Sequence, residues 1–153
     1  MHSVVSGATD PLPALAAHLG HDFQDRALLL RALTHRSYTN EHPEAPDNES
    51  LAFLGDAVLG LIVAEHLWRT APGEGVGILT PRRAEIVSGA NLARWAGPVE
   101  LGGHLRLGRG EQVTGGRAKE SVLATALEAV LGVVYLEGGL VAARRAIALL
   151  AAW

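Results

Sequence analysis

Asp56 is an acid in apolar company. Leu54, Ala57, Val58 and Leu59 surround it in a run from Asn48 to Trp68 that is otherwise almost uncharged. On a helix, that setting puts its carboxylate at the edge of apolar packing rather than on a charged outer face. Glu49 stands seven residues earlier, two turns away on the same face. A carboxylate held against a core costs on the order of several kcal/mol of desolvation unless something compensates it, and a divalent cation is one compensator. The chain has no cysteine, so a metal would need oxygen or imidazole ligands.

A second set of residues could meet phosphate. Arg106, Arg109, Arg117 and Lys119 fall in the segment 81–120, which carries a balance of +3, whereas residues 1–80 carry −6 and the whole chain −3. An acidic half that holds cations beside a basic half that meets phosphates suits a metal-dependent nuclease. Solvated surface produces the same asymmetry without any such role. His35 has no second histidine one helical turn away and reads as a hydrogen-bonded structural residue rather than a metal ligand.

These residues need elements to hold them. An Ala/Leu/Gly-rich chain with two Phe and two Tyr favours helices over a sheet, and no stretch reads as a strand. With 153 residues the chain fits one domain, and residues 1–10 read as a disordered start. Helices are expected over Pro11 to Leu19, closed by Gly20, and over a second stretch capped by Asp22 and running to Leu33. After a loop over 40–47, Asn48 is placed as the N-cap of the long apolar helix ending near Trp68. Residues 71–77 read as a flexible link. Thr80 and Pro81 then read as the N-cap and first position of another helix, which carries Ala84, Ile86, Val87, Leu92 and Trp95 inward and breaks near Gly89. Seven glycines between 97 and 116 mark loop with short helical pieces. A second long apolar helix spans Lys119 to Tyr135, Gly138-Gly139 ends it, and a last helix covers Leu140 to Trp153. Charge or glycine interrupts every apolar run before ~18 residues, so none is expected to span a membrane. No leader is legible at residues 1–10, and the expectation is a soluble cytoplasmic protein.

The stretch Asn48-Glu49-Ser50-Leu51-Ala52-Phe53-Leu54-Gly55-Asp56 resembles the N-E-R-L-E-F-L-G-D signature of the ribonuclease III endonuclease domain. Two further blocks resemble the same family in the same order. Arg31-Ala32-Leu33-Thr34-His35-Arg36-Ser37-Tyr38 precedes the signature, and Gly115-Gly116-Arg117-Ala118-Lys119-Glu120-Ser121, leading into Glu128-Ala129, follows it. The resemblance covers about Leu15 to Leu149. It implies an all-α endonuclease-domain bundle and a homodimer with its two-fold axis near the signature helices. It also implies Mg²⁺- (or Mn²⁺-) dependent hydrolysis of double-stranded RNA in RNA processing.

The resemblance carries over residue by residue, and here the chain departs from it. The family's acidic cluster takes an i,i+4 pair from the signature helix and an i,i+3 pair from a later one. Asp56 matches the first-helix Asp and Glu128 the second-helix Glu, which makes them the implied catalytic and metal-binding residues, with Glu49 supporting the metal site. The other two ligand positions are Ala52 and Thr125, and a fifth acid preceding the next helix aligns with Val76. Alanine offers no ligand atom and threonine only a neutral hydroxyl. The expected site therefore falls from four negative charges to two, with Mg²⁺ or Mn²⁺ weakly bound and cleavage impaired. The alternative expectation is a catalytically inactive RNA- or ribosome-associated dimeric scaffold. Phe53 resembles the aromatic that family members insert into a socket on the dimer partner, with ordinary core packing as the other reading. A heterodimer with a fully equipped relative is a further implied possibility. The family's double-stranded-RNA-binding module is not legible before Trp153, so RNA binding is expected to rest on the dimer and to be weak and salt-dependent.

Overall fold

The computed structural model describes residues 10–153. The described residues form nine α-helices and one short 3-10 turn. Their one β-type contact is an isolated parallel bridge between Thr34 and Arg106. The all-α expectation holds.

Two long helices carry the architecture. Helix α4 spans Glu49–Thr70 and α9 spans Glu120–Ala151, and they make the most extensive contact in the molecule. Their buried residues, among them Leu59, Val63, Leu127, Leu131 and Ile147, form the centre of the hydrophobic core. Around this pair lie α1 (Pro11–Leu19), α2 (Arg26–Ala32) and α6 (Gly89–Ala96), each packed on α9. Both central helices have windows of mean hydropathy 1.6 and are long and apolar enough to cross a membrane by length and composition. Length and composition alone do not make them membrane spans, and each packs against the other as a core helix. Packing gives the apolarity a role here, since about half of each window is buried.

The termini of the helices show where local chemistry decided. Asp10 accepts from the Leu12 N–H at 3.1 Å and forms an ion pair with Arg26 at 2.7 Å, so it caps α1 (Pro11–Leu19) and residue 10 is ordered; the rest of the expected disordered start, residues 1–9, lies outside the described residues. Gly20 ends α1 at φ 59°, as its lack of Cβ permits. Asp25, not Asp22, caps α2, accepting from Leu28 N–H at 3.0 Å. Asn48 takes the expected N-cap position of α4, but its side chain makes no capping bond: it is 2% exposed and its amide donates to the Ala32 carbonyl at 3.1 Å. The Asp47 carboxylate accepts from Glu49 N–H instead.

Helix α5 spans Val76–Ile86, so it starts four residues before the expected cap Thr80 and Pro81 lies inside it. A proline there removes one helical hydrogen bond and crowds the Gly77 carbonyl one turn back. The helix buries no residue. It yields to α6 at Ser88, which caps Asn91 N–H at 3.2 Å and puts the break beside the expected Gly89. Of the residues expected inward, Leu92 and Trp95 are buried, Ile86 and Val87 half-buried, and Ala84 exposed. Residues 97–116 hold short helices, α7 (Leu101–His104) and α8 (Arg109–Val113), as expected. Helix α9 is broken at Gly139 (φ 67°, ψ −165°), where the sequence places an end.

Candidate functional site

Asp56 lies on α4 and Glu128 on α9, and the crossing of these helices brings the two acids close enough for Asp56 to act on the Glu128 carboxyl. Asp56 is exposed and Glu128 half-buried, so the pair opens to solvent on one side; the inward-pointing Asp56 expected from its neighbours is corrected. Those neighbours are apolar for another reason: Val58 and Leu59 face the core, whereas Ala57 and Phe53 share the exposed face with Asp56. Burial, and then the hydrogen bond and negative charge of Asp56, push the Glu128 carboxyl up to about 8. The half-buried Glu128 therefore holds a proton more tightly than an ordinary glutamate.

The positions around the pair add little to it. Ala52, one turn before Asp56, is buried at 8% exposure in the core. Thr125, one turn before Glu128, is half-buried and offers a hydroxyl. Val76 heads α5 and is 78% exposed. Glu49 is exposed at the start of α4 and pairs with Arg36 at 3.5 Å. Among the described residues no three His, Asp or Glu side chains gather as a metal-binding cluster, so Glu49 does not join Asp56 and Glu128.

The residues present fit one divalent ion and not two. A cation between the two carboxyls would offset the desolvation and repulsion that raise the Glu128 proton affinity, and Asp56 and Glu128 would hold it. A second ion would find only the Thr125 hydroxyl.

Three of the four cations expected to meet RNA are engaged by the protein itself. Arg106 donates from Nε to the Thr34 hydroxyl at 2.8 Å, and its guanidinium lies over the Tyr38 ring at 4.8 Å. Arg117 donates to the carbonyls of Gly102 and Leu105 at 3.0 and 2.6 Å. Lys119 pairs with Glu111 at 2.8 Å and holds that carboxyl below its ordinary range. Arg109 differs: only its backbone N–H is used, donated to Glu41 at 3.0 Å, and its side chain is exposed without a recorded partner among the described residues.

The block around His35 is structural. The His35 Nδ1 accepts from Ser37 N–H at 3.1 Å and lies 2.7 Å from the Ser37 hydroxyl, whose oxygen accepts from Gly108 N–H at 2.9 Å. Tyr38 stacks on His42 with ring centroids 4.1 Å apart. These contacts fasten residues 105–109 along α3 (Arg36–Glu41). Phe53 is 82% exposed and Leu61 and Trp68 follow it along the outer face of α4; the core reading of Phe53 is excluded within one chain.

Comparison with known proteins agrees with this architecture. The Ribonuclease-III-like family profile matches residues 25–151. The chain is 51% identical over 130 residues to "Ribonuclease 3" of Symbiobacterium thermophilum, covering 85% of this chain and 55% of that protein. It is 53% identical over 129 residues to "Ribonuclease 3" of Streptomyces coelicolor, covering 84% and 46%. The chain thus spans about half the length of the curated relatives it matches. The nuclease domain of the Campylobacter jejuni ribonuclease III superposes with a TM-score of 0.84 at 36% identity, covering 93% of this chain and 95% of that one. A second structure of that domain is described by its flexibility in a region involved in dimer formation.

Proposed function

Because this chain belongs to the ribonuclease III family, we propose that it acts on double-stranded RNA as a dimer, in cytoplasmic RNA processing, through a cleavage site reduced to Asp56 and Glu128. Phosphodiester hydrolysis by that site is impaired. The observation that carries this reading is the make-up of the site: beside Asp56 and Glu128, Ala52 is buried without a ligand atom and Thr125 offers only a neutral hydroxyl, which makes a weak seat for Mg²⁺ or Mn²⁺. A bound ion supplies neutralisation at the scissile phosphate and a water made acidic. Asp56 and Glu128 would hold it, and Ala52, Thr125 and Val76 leave the places where the family pattern has acids without charge. In-line attack by water then lacks most of its electrostatic support.

The RNA contact of this reading rests on Arg109 among the four cations named, with A-form RNA recognised through phosphates and 2′-hydroxyls rather than bases. The dimer rests on Phe53 and the apolar face of α4 behind it. A fully equipped relative could take the partner's place, but in the family pattern the central acids come from one subunit, so it would not repair this site.

A catalytically inactive RNA- or ribosome-associated scaffold is favoured by one feature, the burial of Ala52 in the core without a ligand atom. One experiment separates the readings. The purified protein and its Asp56→Asn variant are incubated with long double-stranded RNA and Mg²⁺ or Mn²⁺. Slow cleavage lost in the variant supports the nuclease, and Ala52→Glu with Thr125→Asp should then raise the rate. RNA binding with no cleavage in parent or variant supports the scaffold.

A further inference from the structure

The contact that sets the distance between α4 and α9 lies within one residue of both acids. A Cβ built on Gly55 would stand 1.7 Å from the carbonyl oxygen of Glu128, and one built on Gly132 would stand 2.6 Å from the carbonyl oxygen of Leu51. The two contacts are reciprocal: each glycine receives the backbone of the other helix. Gly60, further along α4, meets nothing within 4 Å. Glycine is a poor helix former, so its presence at 55 and 132 within buried helix interiors calls for a reason, and backbone-to-backbone approach supplies one.

We propose that Gly55 and Gly132 are positioning residues for the acidic pair: together they let α4 and α9 meet closely enough for the Asp56 and Glu128 side chains to touch. Gly55 precedes Asp56, and the carbonyl it receives belongs to Glu128 itself. A methyl group at either glycine forces the helices apart at that level. A separation of ~1 Å is enough to lose a hydrogen bond, which fades beyond ~3.5 Å. What the acids do for RNA rests on the function proposed above; where they stand does not.

The absence of cysteine in the chain gives a clean test. The Asp56→Cys/Glu128→Cys variant is treated with dibromobimane, which fluoresces once it has bridged two thiols. The bridge should form readily with both glycines in place. Gly132→Ala, the milder intrusion, should slow the second, bridging alkylation at least about twofold relative to the first, because the thiols then stand further apart. Gly55→Ala should slow it further, and Gly60→Ala should leave the rate unchanged. Far-UV circular dichroism confirms that each variant compared is helical, and Gly132→Ala serves if Gly55→Ala does not fold. A bridging rate unaffected by Gly132→Ala, or a cysteine pair that never bridges, overturns the proposal. Neither readout requires RNA cleavage, so failure of the nuclease reading would show separately in the RNA assay.

Discussion

Burial and the neighbouring Asp56 raise the affinity of the Glu128 carboxyl for its proton, to a value of about 8. A metal ion seated by Asp56 and Glu128 must displace that proton. The Mn²⁺ affinity of the isolated protein should therefore rise about tenfold per pH unit between pH 6 and 8 and level off above, as read by isothermal titration. A pH-independent affinity would place the ion elsewhere. Stability should move the opposite way. The folded-state value of about 8 lies above the ordinary 4.5, so the folded protein binds more protons than the unfolded chain between those values. Stability is then fullest at acid pH and declines as pH rises toward 8. Urea midpoints at pH 5 and pH 8 should differ in that direction, and Glu128→Gln should flatten the difference. The arginines divide in the same residue-by-residue way. Arg109→Gln should weaken double-stranded RNA binding and reduce the salt slope by about one. Arg106→Ala should instead destabilise the fold by roughly 1–3 kcal/mol, since it strands a hydrogen bond and a cation–π contact. Loop arginines look alike in a sequence. What separates Arg106 from Arg109 is a hydroxyl 72 residues away, and no local pattern carries that information.

At the level of elements, the long apolar runs were legible and their edges were not. Apolar length locates α1, α4 and both halves of α9, because those helices bury one face, and glycine marks the ends of α1 at Gly20 and of the first half of α9 at Gly139, each at positive φ. Helix α5 was misplaced because Pro81 is the strongest helix-start signal in its neighbourhood, yet the three glycines at 73, 75 and 77 let the chain turn earlier. Pro81→Ala should restore a backbone donor and stabilise α5 by up to about 3 kcal/mol locally. Slower amide exchange across residues 76–86 would register it. The residue type of Asn48 marks its N-cap position, but its side chain reaches back to the end of α2, an interaction over 16 residues that no local pattern carries. The Glu137 carboxylate, which accepts from the backbone N–H groups of Gln24 and Asp25 and pairs with His21 at 2.9 Å, lies beyond any sequence signal for the same reason. The convergence of Asp56 and Glu128 came from the family pattern and not from spacing, since no periodicity joins residues on two helices.

The molecule as a whole shows an apolar outer face on α4 that one chain leaves open: Phe53, Leu61 and Trp68 are 82%, 53% and 71% exposed. If a second chain covers it, Phe53→Asp should convert a dimer into monomers, visible by light scattering, with little loss of helicity. RNA binding should fall along with it, because a footprint spread over two chains is halved.

The partnership of α4 with α9 has a consequence for how the protein is made. Helix α4 ends at Thr70 and α9 begins at Glu120, so a ribosome must add about fifty residues, several seconds of synthesis at ordinary speeds, before the first can find the second. Throughout that interval a greasy 22-residue rod stands in water with its mate unborn. The nascent chain is thus most exposed to chaperones and to mispairing in the very segment that later holds the acids.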